Sequence, residues 1–249
     1  MEDKKLEEVE LNLRLLAGEP IVVYGYGHIK PRTIKDIIRL GYSKYLSYLN
    51  IFNLNSTDLL PDLDKEVNIF DVFMLVGDDE FYSMMEEALS FFLSEDNIYI
   101  DRKSSRFLVE SEDNGEKTVK EVDRDNFDRI KKVVKLQNYI LDTEESQEDE
   151  APATEQAKAL KKRIEELKKE REKYRSKDND EGEDIDLFSI ISALSSKSNI
   201  SEEKIFDLTL YQLYTKFRRV EKIEEYDLSL KSLLAGAKDV KIKSYYSKI

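Results

Sequence analysis

Residues whose types could support chemistry gather first in VVYGYGHIKPRTIKDII, residues 22–38, which holds Gly25, Gly27, the chain's only histidine, His28, and Lys30. Glycines between an apolar run and a helix are where phosphate-binding loops form, because the free amides at a helix start attract anions. Here the spacing does not follow through. G-Y-G lacks the third glycine of a dinucleotide fingerprint, and no G-x-x-x-x-G-K-[ST] occurs in the chain. No G-x-S-x-G pattern supplies a nucleophile for His28 to activate. The stretch reads as a structural corner. Ile21–Tyr24 form a short strand that ends at the glycines, Pro31 fits the connection, and Thr33 with Asp36 approximates a capping box.

The remaining chemistry-bearing residues are carboxylates and aromatics. Asp78, Asp79, Asp96 and Asp101 sit near expected element ends, where helix caps and solvated turns account for them better than an acid–base pair or a Mg²⁺ site. With no cysteine and one histidine, thiolate and zinc chemistry are excluded, and only an all-oxygen site for Mg²⁺ or Ca²⁺ is conceivable. No catalytic, cofactor-binding or metal residue is assigned, and the protein is expected not to be an enzyme. The basic tail KDVKIKSYYSKI pairs cations with Tyr245 and Tyr246. Stacking on nucleic-acid bases is one use for such a tail, but packing back onto the preceding helices is the expected one.

The elements that carry these residues follow from periodicity. Ile34, Ile37, Ile38, Tyr42, Tyr45 and Leu49 continue one helical pattern after Thr33. NIFDVFMLVG is a buried helix or a buried strand, too short an apolar run for its period to decide. Phe81, Met84, Met85, Ala88, Leu89 and Phe92 share one face of a helix, a stripe that belongs to a core. Asn114-Gly115, between RFLVES and KTVKEV, signals a hairpin. Asp123 or Asp125 then caps a helix with Phe127, Ile130, Val133, Val134 and Gln137 on its buried side. Ser201 opens a long helix whose stripe is Leu210, Leu213, Tyr214, Phe217 and Val220, and Gly236 stops the helical run after LKSLLA. The fold class is α+β, mostly helical.

Charge divides the chain. Residues 1–153 hold 34 acids and 19 bases, residues 154–177 hold 5 and 10, residues 178–203 hold 8 and 1, and residues 204–249 hold 6 and 10, for a net charge of −13. LDTEESQEDEAPATE (141–155) has almost nothing to bury and reads as a linker. The implied plan is a mixed α+β domain over 1–141 with a small hairpin, an acidic linker over 142–183 with a charged helix at about 154–175, and an all-α module over 184–249. That charged helix carries Ala157, Leu160, Ile164, Leu167, Arg171 and Tyr174 as a short seam. It is a solvated spacer or a partner-binding or oligomerising helix. The acidic front argues against a dedicated nucleic-acid binder. No run of about 18 apolar residues is present, so no membrane span is expected. The acidic N-terminus is unlike a secretory signal, and the absence of cysteine points to the cytoplasm.

Three segments carry a resemblance. IKPRTIKDIIRLGYSKYLSYLNIF, then DRDNFDRIKKVVKLQNYI followed by APATEQAKALKKRIEELKKER, then NISEEKIFDLTLYQLYTKFRRV with LLAGAKDVKI, resemble accessory proteins from tail-gene clusters of phages and prophages of Gram-positive bacteria. In that family a tryptophan often stands near the C-terminus, where this chain has Tyr245-Tyr246. The resemblance implies a tail assembly chaperone-like protein that binds the long helical tape-measure protein and keeps it soluble until the tail tube polymerises. The expected partner surface is Tyr211, Tyr214, Phe217 and Arg218 on the long C-terminal helix, although a core role suits the first three equally well. Three other classes remain open: a structural tail or baseplate component, found in the virion, a small DNA-binding regulator using the C-terminal helices, and, last, an enzyme, for which the sequence offers no catalytic constellation.

Overall fold

The computed structural model describes residues 2–56, 67–95, 97–113, 116–140, 186–236, 242 and 244–247. The expected acidic linker, the charged helix at 154–175, Asp96 and Asn114-Gly115 lie outside the described residues. Those that are described form a mostly helical α+β structure with one two-stranded and one three-stranded antiparallel sheet. The chain divides into two compact units, residues 1–140 with 194–249, and residues 141–193.

The first unit opens with α1, Glu2–Ala17, followed by β1, Ile21–Val23, and β2, Gly27–Ile29. These strands pair antiparallel, Ile21 opposite Ile29 and Val23 opposite Gly27. The helical pattern after Thr33 is not one helix. It breaks into α2, Ile34–Leu40, and α3, Tyr42–Asn53, at Gly41, whose φ of 95° only glycine adopts without strain. The break re-aims the chain, so Ile34, Ile37, Tyr45 and Leu49 are buried while Ile38 and Tyr42 stay open. Thr33 and Asp36 complete the capping box at the start of α2.

The ambiguous NIFDVFMLVG segment is helical. It forms α4, Ile69–Val76, started by Asn68, whose side chain accepts from the Phe70 N–H at 2.8 Å. Next comes α5, Asp79–Leu93, burying Met85, Ala88, Leu89 and Phe92 of its expected stripe, with Phe81 and Met84 half-buried. The three-stranded sheet is a meander of β3, Asn97–Asp101, β4, Arg106–Asp113, and β5, Glu116–Val122. Asp113 pairs with Glu116, the register expected of a two-residue connection. On β4, Phe107 and Val109 alternate inward, as a half-covered sheet requires.

Asp123, not Asp125, caps α6, Arg124–Gln137, and all five residues expected on the buried side are buried. Phe127 is the hub of the core. Its ring lies 6.0 Å from Phe52 on α3, and 5.2 and 5.9 Å from Phe70 and Phe73 on α4.

The helix expected to start at Ser201 is also two. A five-residue α8, Glu202–Phe206, ends at Asp207, and Thr209 then caps α9, Leu210–Leu234, through a box with Gln212. Thr33 and Thr209 form an isolated antiparallel bridge, and the Ile34 N–H donates to Leu208 O at 2.9 Å. The first turns of α2 and α9 thus meet, tying the start of the chain to its last quarter.

In the second unit, Asp186 accepts from the Ser189 N–H at 2.7 Å and starts α7, Leu187–Ser198, whose residues from Leu194 belong to the first unit.

Candidate functional site

The G-Y-G stretch is a turn with a packed back. Gly25 and Gly27 have φ of 87° and 127°, positions closed to most side chains. Asn126 on α6 donates to Glu121 O at 2.8 Å and reaches Gly25 O at 3.5 Å, while Arg129 donates to Tyr24 O at 3.1 Å. Between the glycines Tyr26 is buried, and burial pushes its hydroxyl well above the usual tyrosine range. His28 and Lys30 point outward, exposed. The carbonyls of Tyr24 and Gly25 accept from α6 side chains and the Tyr26 N–H donates to Val23 O at 3.1 Å, which holds the corner.

The carboxylates also have local work. Asp78 caps α5 by accepting from the Phe81 N–H at 2.8 Å, and Asp79 pairs with Arg102. Asp101 accepts from the Ser104 hydroxyl at 2.6 Å and from the Lys103 N–H at 3.2 Å, closing the turn between β3 and β4. Those hydrogen bonds, the Ser104 hydroxyl first, hold Asp101 below the ordinary carboxylate range. Among the described residues, no group of three His, Cys, Asp or Glu side chains is close enough to share a metal ion.

The four residues expected on a partner surface divide between two environments. Tyr211 and Tyr214 lie in an aromatic seam between α9, the end of α6 and α3. Tyr139, which follows α6 with φ 58°, stacks on Tyr214 at 5.1 Å and meets Tyr211 edge-on at 5.7 Å. The Tyr211 hydroxyl donates to Asn12 Oδ1 on α1 at 3.1 Å, and Gln212 donates to Leu16 O at 2.9 Å. Behind them Tyr45 is buried, donating to Asn138 Oδ1 at 3.1 Å. Burial raises the Tyr45 hydroxyl far above its usual range, with the neighbouring Tyr214 and Tyr42 adding to it. Burial likewise raises Tyr211 and Tyr214. Phe217 is half-buried. Arg218 is exposed and bonds to Glu221 at 3.2 Å.

Beyond Val220 the character of α9 changes. Ile223, Leu230 and Leu233 recur with Tyr226 at intervals of three and four, and Leu234 adjoins them at 79 % exposure. This half is held along one side by the tail: Arg219 donates to Tyr245 O, Lys222 Nζ to the Ser247 hydroxyl at 3.0 Å, and Tyr226 meets the Tyr245 ring at 5.3 Å. Tyr226 thus meets the tail from within the run, while Ile223, Leu230, Leu233 and Leu234 stay exposed beside it. Periodicity alone did not separate the halves, and it missed Tyr139, which lies beyond the last turn of its helix.

The exposed apolar run on the second half of α9 is therefore the candidate site. Residues 176–249 match the family model described as YomV second domain, a family named after a Bacillus phage or prophage protein, which fits a phage-associated protein. No curated protein matches the chain, and no solved structure does. Among the described residues, no helix is long and apolar enough to cross a membrane.

Proposed function

We propose that this is a non-enzymatic, tail assembly chaperone-like protein of a phage or prophage, which binds a tape-measure or other tail protein and keeps it soluble during virion assembly in the host cytoplasm. The observation that carries this reading is the open apolar run on the second half of α9, inside the segment that matches the phage-named family. A long helical client aggregates through its apolar faces unless something covers them. An acidic protein of net charge −13 can cover such faces while like charges keep the complexes apart.

The test is a tagged pull-down of the full chain from the producing cells, read by mass spectrometry, with Leu230→Ser/Leu234→Ser alongside. Stoichiometric recovery of one very long, helix-rich tail protein, reduced by the variant, supports the reading. Recovery of tube or baseplate proteins, with the chain itself in purified particles, would make it a structural component instead. Nucleic acid alone would move the reading to the C-terminal helices as a regulator.

A further inference from the structure

We propose that the outward face of α1 is a docking surface for a basic amphipathic helix of a partner protein. The fold uses one side of α1: Leu15 is 2 % exposed, and Asn12 and the Leu16 carbonyl are bonded to α9. The other side presents Leu6, Val9, Leu13 and Leu16 at 70, 54, 59 and 43 % exposure. Their intervals of three, four and three residues are the repeat of a helix–helix seam. Four large apolar side chains aligned on one face are a patch, unlike single exposed leucines scattered over a surface.

Charge selects the occupant. Along α1 five acids, Glu2, Asp3, Glu7, Glu8 and Glu10, stand against three bases, Lys4, Lys5 and Arg14, and Arg14 is paired with Glu10 at 3.2 Å. Glu10 lies four residues after Leu6 and three before Leu13, so it borders the apolar stripe. Glu7, Glu10 and Arg14 also line a shallow groove of ≈ 310 Å³ floored by Leu11, Ile21 and Val22. A helix that lays leucines on the stripe brings its flanking lysines against Glu7 and Glu10. The same face of a second copy brings the same glutamates, so α1-to-α1 pairing is opposed. This surface is on a different element from the open half of α9, and it does not depend on the client being a tail protein.

The experiment uses the full chain and two fluorescein-labelled synthetic helices of about three heptads, with leucine at the seam positions and either lysine or glutamate flanking them. Anisotropy should show saturable binding of the lysine peptide, at least about ten-fold tighter than the glutamate peptide and weakened by salt. Glu7→Lys/Glu10→Lys should erase that preference. Leu6→Ser/Val9→Ser/Leu13→Ser should lose about ten-fold or more in affinity with an unchanged melting temperature, since these side chains are exposed. Should the triple variant melt early, Leu13→Ser alone carries the same comparison. Equal binding of the two peptides, no binding of the lysine peptide, or full binding by the stripe variant would overturn the proposal. So would a concentration-dependent dimer in light scattering that the stripe variant dissolves, which would give the face to a second copy.

Discussion

Helices α6 and α9 have the same kind of sequence, a polar helix with one apolar stripe, and the fold treats them differently. Every expected inward residue of α6 is covered, and Phe127 alone meets rings from two other helices. Helix α9 runs for 25 residues, about 37 Å at 1.5 Å per residue, and buries only Leu210 and Leu213 completely. Amphipathic periodicity shows which side of a helix is apolar. Whether that side is covered depends on what the rest of the chain brings to it.

The contrast can be broken or sharpened by substitution. Phe127→Ala should have the largest effect, destabilising by about 3–5 kcal/mol in urea denaturation, because it empties the point where three helices meet. A loss under roughly 1 kcal/mol would mean that α6 is not the hub. Leu213→Ala should cost about 2–5 kcal/mol, since the side chain is fully buried in the anchored half of α9. Thr33→Ala removes a capping box and should cost about 1 kcal/mol near neutral pH.

That third effect carries a pH signature. Burial would raise the Asp36 carboxyl, but the hydrogen bonds from the Thr33 backbone and hydroxyl, with the charges of Arg32 and Arg39, outweigh it, and the net shift is downward. A depressed carboxylate contributes stability that is full above its unfolded value, near 4, and is lost as pH falls through the lower folded value. The gap in melting temperature between wild type and Thr33→Ala should therefore narrow below about pH 4. A gap that widened on acidification would contradict the cap. The smallest effect belongs to the open half of α9. There, Leu234→Ser should change stability by no more than about 0.5 kcal/mol, and a larger loss would show that this half is packed after all.

Local signals made much of the fold legible. Asp123 and Asp78 as caps and the stop at Gly236 rest on contacts within a few residues, and the stripe on α5 on local periodicity. The two broken helices show where that reading stops. Gly41 interrupts a periodic run without disturbing its period, so only the positive φ exposes the break. Thr209-x-x-Gln212 is a capping box plainly present in the sequence, but it sits inside a run that was already periodic from Ser201. The exposed run Ile223, Leu230, Leu233 and Leu234 was not among the residues expected on a partner surface. Tyr211 and Tyr214 are drawn into a seam by Tyr139, Asn12 and Tyr45, residues up to about two hundred positions away that no local pattern connects.

The bridge between Thr33 and Thr209 also sets a schedule. During synthesis, α1 and the first turn of α2 leave the ribosome long before their partner on α9 exists. At roughly 5–20 residues per second, the inward face of α1 waits for several seconds or longer with Leu15 uncovered. Completion of the first unit therefore waits until α9 has been made. Until then, both sides of α1 are available to whatever binds apolar helices.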